Sequence, residues 1–185
     1  IYSVYAKDLD NDGDMDIMSA SANDDKIAWY ENNGAADPSF TARTIATSAD
    51  GPRSVFASDL DNDGDIDVLS ASENDDKIAW YENDGAADPS FTARTITTSA
   101  DRAMSVYAAD VDNDGDVDVI SGSMNDDKVI WYENDGTADP SFNAITISSN
   151  ADMIASVFAI DLDSDVDVYI MSAYKNDDKI DLYES

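Results

Sequence analysis

The sequence predicts an all-β fold that is built from one repeated unit. The first observation is a dipeptide that recurs at a constant spacing of 51 residues. Its four copies are Ser3-Val4, Ser54-Val55, Ser105-Val106 and Ser156-Val157. The second observation is that each unit contains short runs of alternating apolar and polar residues between turns rich in Asp, Asn and Gly. No stretch has the 3.6-residue periodicity of an amphipathic helix.

Each unit is predicted to contain four antiparallel strands, which we name A to D. In the third unit they are Ser105 to Val111, Asp118 to Ser123, Lys128 to Glu133 and Phe142 to Ile147. One such sheet cannot bury both of its faces alone, and stacking against the next sheet solves this problem. We therefore predict a β-propeller of four-stranded blades, either four-bladed or part of a larger propeller or assembly.

The repeat divides the chain into one domain of four predicted blades. They are residues 1–51, 52–102, 103–153 and 154–185. The fourth unit stops before its D strand, so we expect an incomplete blade whose strand C, Lys179 to Glu184, has an open edge. Open edges recruit partner strands. We expect the strand to come from a neighbouring subunit, giving a homo-oligomeric ring or a filament, or from residues beyond this chain in a longer parent protein.

The composition excludes most familiar enzyme sites. The chain has no Cys and no His, which removes disulfides, thiolate ligands, Ser-His-Asp triads and ordinary zinc sites. Its formal net charge of −31 repels nucleic acid and anionic lipid. No apolar run reaches the ~20 residues of a membrane span. We expect a protein that is not an enzyme, binds no nucleic acid and does not insert into membranes.

The connection between strands A and B carries the pattern D-x-D-x-D-G-x-x-D. Carboxylates at positions 1, 3 and 5 of a tight turn converge, Gly at position 6 permits positive φ, the carbonyl at position 7 can point inward, and the acid at position 9 closes the shell. An all-oxygen shell suits Ca²⁺. We predict three calcium sites, with position 7 coordinating through its carbonyl. Their residues are Asp8, Asp10, Asp12, Asp14 and Asp16; Asp59, Asp61, Asp63, Asp65 and Asp67; and Asp110, Asp112, Asp114, Asp116 and Asp118.

The fourth loop departs from this pattern. Asp161, Asp163 and Asp165 remain, but Val166 stands at the Gly position and Tyr169 at the closing acid. A β-branched residue resists positive φ, and Tyr supplies no charged ligand. We expect this site to be weak or vestigial.

Other interpretations of the loop fit less well. An EF-hand is excluded because Ser19, Ser70 and Ser121 stand where it has a bidentate Glu. A solvated turn without metal would leave five close carboxylates to repel each other, and a catalytic carboxylate pair would not be copied in every unit. Adaptation to high salt would disperse the acids, whereas nineteen of the thirty-six Asp lie in the four loops.

Aromatic residues recur on strand C. They are Trp29, Trp80 and Trp131, with Leu182 as the fourth equivalent, alternating with Tyr30, Tyr81, Tyr132 and Tyr183. We expect them to pack between blades; the alternative is an exposed platform for a sugar ring. The Asp24-Asp25-Lys26 turn and its copies are predicted to be hairpin tips, with a second cation site as the alternative. We expect Phe40, Phe91 and Phe142 to anchor the start of strand D.

The A strand, the D-x-D-x-D-G-x-x-D loop, the small-residue B strand Val119 to Ser123 and the aromatic C strand together resemble the FG-GAP/VCBS repeat family, which includes the integrin α-subunit propeller. The resemblance covers the whole chain, and the metal motif is complete in three units. It implies blades around a central channel, about seven in such a ring, with Ca²⁺ held by the Asp residues named above. It also implies adhesion, sugar binding or scaffolding beside catalytic domains.

These features predict an extracellular, calcium-stabilised β-propeller that acts as a structural or adhesive module. The chain opens in a strand-like stretch, Ile1 to Tyr5, so we expect that a leader, if it had one, is removed. Because Ca²⁺ is millimolar outside cells, we expect a secreted or cell-surface protein. The expected partner is a protein or a glycan at a cell surface or matrix. Two alternatives are a lectin with glycans held between blades and an accessory domain of a polysaccharide-degrading enzyme.

Overall fold

The computed structural model describes residues 1–176 and 178–184, and these residues form an array of antiparallel sheets. Three sheets have four strands and the fourth has three. Within each sheet the strands pair with their neighbours in chain order. None of the described residues belongs to a helix that is long and apolar enough to cross a membrane. The predicted all-β fold of repeated antiparallel blades is confirmed.

The strands of the four blades follow one plan. Blade 1 contains β1 (Ser3–Lys7), β2 (Asp16–Ser21), β3 (Lys26–Asn32) and β4 (Phe40–Ala46). Blade 2 contains β5 (Pro52–Ser58), β6 (Asp67–Ser72), β7 (Lys77–Asn83) and β8 (Phe91–Thr97). Blade 3 contains β9 (Ala103–Ala109), β10 (Asp118–Ser123), β11 (Lys128–Asn134) and β12 (Phe142–Ser148). Blade 4 contains β13 (Ile154–Ile160), β14 (Tyr169–Tyr174) and β15 (Lys179–Glu184).

The largest difference from the predicted boundaries concerns strand A. Strand B of the third blade covers Asp118–Ser123 as predicted, but strand A covers Ala103–Ala109, two residues earlier than expected. The prediction was extended by the apolar Val111, whose N–H donates to Asp118 Oδ2 at 3.0 Å. Because this N–H donates to a side chain and the pairing of β9 with β10 ends at Ala109, Val111 belongs to the loop although its side chain is buried.

The hydrophobic core lies between successive blades. At the first junction Met18 and Trp29 of blade 1 pack with Val55 and Val68 of blade 2. The next two junctions repeat this arrangement around Trp80 and Trp131. The prediction that these tryptophans pack between blades is therefore confirmed. Trp29 and Trp80 are 1% and 2% exposed, so neither has the open face that a sugar platform needs.

The A strands of successive blades lie next to each other and carry a row of four aromatic rings. The ring centroids of Tyr5 and Phe56, of Phe56 and Tyr107, and of Tyr107 and Phe158 are 4.5, 4.5 and 4.6 Å apart. The rings are tilted by 40 to 51°, an arrangement that adds to the energy of simple burial. This row joins all four blades along one edge.

The two outer faces of the array are not covered by any described blade. Val4 of blade 1 is 64% exposed, whereas its equivalent Val55 is 4% exposed because blade 1 covers it. Ile180 of blade 4 is 65% exposed, whereas its equivalent Ile27 is fully buried. The described residues thus form an open array, and its last sheet ends at β15.

Candidate metal centre

The Asp-rich loops connect strands A and B in every blade. In the three complete loops the backbone enters the left-handed region twice, at the position-4 Asn and at the position-6 Gly. In blade 2 Asn62 has φ 58° and Gly64 has φ 95°. Gly adopts this conformation without strain, and Asn tolerates it better than most residues. These two residues allow the loop to coil so tightly that carboxylates separated in sequence lie close together.

In each complete loop three carboxylates meet, at positions 1, 3 and 9. Their oxygens lie within 4.8 Å of one another. The three groups are Asp8, Asp10 and Asp16; Asp59, Asp61 and Asp67; and Asp110, Asp112 and Asp118. Calcium binds oxygen at about 2.3–2.6 Å, so one ion could contact all three members of a group.

The position-9 carboxylates are the buried members. Asp16, Asp67 and Asp118 are each 1% exposed. Asp67 accepts hydrogen bonds from the N–H groups of Leu60 at 3.0 Å and Asn83 at 2.9 Å. Burial nevertheless raises the pKa of Asp67 to about 7 and that of Asp118 to about 6, because desolvation disfavours the charged form. A nearby cation would restore the charged carboxylates.

Position 1 gives a test of whether the loop suits a metal. One oxygen of Asp8 accepts from the N–H of Gly13 at 2.9 Å, and Asp110 does the same with Gly115 at 3.1 Å. The other oxygen of each, Oδ1, is buried and accepts no hydrogen bond from the described residues. A buried carboxylate oxygen without a partner is costly. An oxygen-only donor set with such an atom fits the predicted Ca²⁺.

Position 5 lies outside these groups. Its carboxylate accepts from the N–H of position 7 at 2.9 Å in all three loops, as Asp63 does from Asp65. The bond closes a turn that shapes the loop. The side chains of Asp12, Asp63 and Asp114 are therefore used locally, and their coordination of the ion stays a prediction.

The side chain of position 7 is also occupied, by contacts to its surroundings. Asp65 Oδ1 accepts from Asn11 Nδ2 of the preceding blade at 2.9 Å. Its Oδ2 lies against Gly85, where a Cβ would come within 2.1 Å. Asp116 accepts from Asn62 at 2.7 Å in the same way. In these two loops the contacts leave the backbone carbonyl as the position-7 group for a metal. Coordination through the carbonyl at Asp14, Asp65 and Asp116 stays a prediction.

The fourth loop assembles its acids differently. Oxygens of Asp161, Asp163 and Asp165 lie within 4.8 Å of one another, but none of these residues is buried. Val166 adopts φ 89°, so the loop keeps the positive φ of its Gly counterparts in spite of a β-branched side chain. With Tyr169 at the closing position, the group lacks the buried acid of the other loops.

The strand-C Asn is a site residue to which the sequence reasoning gave no role. Asn83 Nδ2 donates at 3.0 Å to the carbonyl of Ile66 in its own loop and at 3.0 Å to the carbonyl of Leu9 in the preceding loop. Asn134 makes the equivalent bonds. The signal was an Asn that ends the aromatic strand C in each of the first three units, as Asn32, Asn83 and Asn134.

The B to C turns hold the segments that lead into strand A of the next blade. Asp25 and Asp76, at φ 52° and 55°, accept the N–H groups of Gly51 and Arg102 at 3.0 and 2.9 Å. The fourth copy of this turn includes Asp177, which lies outside the described residues. Throughout the described ranges, the groups of three acids close enough for a metal all lie in the A to B loops.

The comparisons agree with this architecture. The model of the FG-GAP-like repeat matches residues 8–70, 59–121 and 110–172. No curated protein matches the sequence. Among solved structures, the crystal structure of BBS1N in complex with ARL6DN, soaked with lead, has a TM-score of 0.61 at 14% identity. The match covers 100% of this chain and 54% of BBS1N, so the chain spans about half of that neighbour's length. This likeness shows the propeller fold alone.

The three family matches are spaced by one repeat and together run from residue 8 to residue 172. They include all three complete Asp-rich loops and extend through the loop of the fourth blade. The chain therefore belongs to the FG-GAP-like repeat family.

Proposed function

We propose that this protein is a calcium-stabilised β-propeller module that binds partners outside the cell and is not an enzyme. The observation that carries the proposal is the buried position-9 carboxylate of each complete loop, which lies within 4.8 Å of two further carboxylates. Without a cation these three charges repel each other and one of them is desolvated. Calcium would turn this cost into stabilisation of the folded blade.

The energetics of calcium binding support an extracellular setting. An ion that binds only the folded state stabilises it in proportion to the logarithm of its concentration relative to Kd. At ~1 mM Ca²⁺ and a Kd of ~10⁻⁴ M, this amounts to about 1.4 kcal/mol per site. Calcium at three loops could then replace disulfides, which a chain without Cys cannot form.

The arrangement of the polar groups is explained better by the binding of a partner than by catalysis. The acids recur in every blade, and a catalytic centre has no reason to be copied in this way. Arg94, the main cation of the crevice between blades 2 and 3, is already paired with Glu82 at 2.6 Å and with Asp139 at 2.7 Å. The proposed partners are a protein or a glycan at a cell surface or matrix.

Glycan binding is a second candidate, favoured by one pocket. It has a volume of about 430 Å³, lies between blades 2 and 3, and is lined by Arg94, Asp139, Ser141 and Phe142 among others. Polar groups beside apolar side chains suit a sugar. If the wild type binds glycans on an array and Ser141→Ala loses this binding, the result would favour this candidate. Glycan binding that is the same in Ser141→Ala and in the wild type would argue against it.

Thermal unfolding with and without a chelator tests the calcium proposal. We expect Ca²⁺ to raise the melting temperature of the chelator-stripped protein, and Asp118→Asn to reduce that rise. Asp37→Asn removes the same charge from an exposed position outside the loops and serves as the matched control. A melting temperature that is indifferent to Ca²⁺ would contradict the proposal.

A further inference from the structure

A chain of buried hydrogen bonds connects the position-9 carboxylates of the first two loops. The N–H of Leu9 donates to Asp16 Oδ2 at 3.0 Å. The carbonyl of the same Leu9 accepts from Asn83 Nδ2 at 3.0 Å, and the N–H of Asn83 donates to Asp67 Oδ1 at 2.9 Å. Two residues thus bridge two candidate metal ligands in adjacent blades.

The bridge is repeated at the next junction. Leu60 donates to Asp67 Oδ2 at 3.0 Å and accepts from Asn134 Nδ2 at 2.8 Å. The N–H of Asn134 donates to Asp118 Oδ1 at 2.8 Å. Asp67 therefore receives one hydrogen bond from each direction. Asn83 and Asn134 are only 3% and 2% exposed, so water does not compete for these bonds.

We propose that Asn83 and Asn134 are positioning residues that couple the metal sites of adjacent blades, so that calcium at one site raises the affinity of the next. The inference rests on the proposed function, because it concerns the same loops. The Leu9 peptide takes part in both sites, since its N–H holds Asp16 and its carbonyl holds Asn83. An ion that fixes one carboxylate also orders this peptide, and the neighbouring site then loses less conformational freedom when it binds.

Asn32 of the first blade is the equivalent of Asn83 and serves as a control, because it makes the same contacts within its own blade but no contact to a preceding blade among the described residues. Asn32 donates its N–H to Asp16 at 2.8 Å and its Nδ2 to the carbonyl of Met15 at 3.1 Å, and it accepts from Gly34 at 3.2 Å. These are the bonds that Asn83 makes within its own blade. The bond from Asn83 to Leu9 has no counterpart at Asn32 among the described residues. Asn32→Ala therefore removes the local side-chain contacts alone, and its backbone N–H can still donate to Asp16.

Calcium titration calorimetry on the whole chain tests the coupling. Asp8→Asn disables the first site without altering any residue of the bridge. We expect a Hill coefficient above 1 for the wild type, and an affinity of the remaining sites about fivefold lower in Asp8→Asn, the lower end of typical coupling between sites. In an Asn83→Ala background the effect of Asp8→Asn should fall below about twofold, whereas in an Asn32→Ala background it should persist.

Three results would overturn the inference. The first is that the wild type has independent sites and that the remaining sites keep their affinities in Asp8→Asn. This comparison involves no change at Asn83, so it holds even if Asn83→Ala does not fold. The second is an effect of Asp8→Asn that persists undiminished in Asn83→Ala, and the third is an equal loss of coupling in Asn32→Ala and Asn83→Ala. A wild type that binds no calcium would instead contradict the proposed function itself.

Discussion

Gly122 in β10 lies directly against Ile154 at the start of β13, because a Cβ at residue 122 would come within 2.4 Å of Ile154 Cγ2. The equivalent pair at the preceding junction is Ala71 and Ala103, both fully buried. A smaller residue on one blade thus accompanies a larger residue on the next. Gly122→Ala should destabilise the protein by about 1–3 kcal/mol through overpacking, measured by urea unfolding.

The double variant is the control for this steric account. Gly122→Ala with Ile154→Ala recreates the Ala71 and Ala103 pair, so its loss should be smaller than the sum of the two single losses by more than ~1 kcal/mol. Strictly additive losses would show that the contact between these two residues is not the cause.

Positions 7 and 9 of a loop should respond differently to the removal of charge. Asp67→Asn places an amide against two backbone donors in a buried site and should cost about 1–3 kcal/mol, with a clear loss of calcium-dependent melting temperature. Asp65→Asn keeps an oxygen that can accept from Asn11 and should change the melting temperature only slightly. Equal losses in the two variants would mean that the ligand assignment is wrong.

Metal-free and calcium-loaded protein should depend on pH in opposite directions. The pKa of Asp67 rises from 3.8 to about 7 on folding without metal, so the folded state binds more protons than the unfolded state between these values. Raising the pH from about 5 to about 8 should then lower the melting temperature of the metal-free protein. With calcium bound, protons compete with the ion, and the same change should raise it.

The control for the pH effect is Asp67→Asn, which removes the titrating group and should flatten the metal-free profile. Some slope will remain, because Asp118, whose pKa burial raises to about 6, titrates in the same range. A metal-free stability that rises from about pH 5 to about pH 8 would contradict the assignment of Asp67 as a buried acid.

The fourth loop contains a strained residue that can be relieved. Val166 has φ 89°, a conformation that its Gly counterparts adopt freely. Val166→Gly should stabilise the chain by about 1 kcal/mol in urea unfolding. The opposite type of change, Gly64→Ala, should destabilise the chain, because Ala is strained at the φ of 95° that Gly64 adopts. No atom lies within 4 Å of the new Cβ, so this backbone strain is the whole cost. A Gly64→Ala variant as stable as the wild type would contradict this explanation.

Much of the fold could be predicted from the sequence because its determinants are local. The short run Asp118–Ser123 and the turn residues around it define β10 correctly, although all six residues are buried and do not alternate between an inner and an outer face. Strand A was predicted two residues too late because an apolar residue such as Val111 can be buried in two ways. It can belong to the strand, or it can lie in the loop with its side chain turned toward the next blade. The apolar pattern is the same in both cases, and only the backbone hydrogen bonds distinguish them.

The site was predictable to the extent that it is contained in one loop. Positions 1, 3 and 9 of the motif meet, as their spacing indicated. The role of Asn83 could not be inferred from the spacing, because its partner Leu9 is 74 residues away. Such a contact depends on how blades stack, and this depends on the packing of Trp29 and its neighbours and not on a motif.

Calorimetric titration of the chelator-stripped protein with Ca²⁺ tests the central claim most directly. Three loops combine a buried position-9 acid with two further carboxylates, and the fourth does not. The account predicts three tight sites per chain. A stoichiometry near zero, or four equivalent sites, would contradict it.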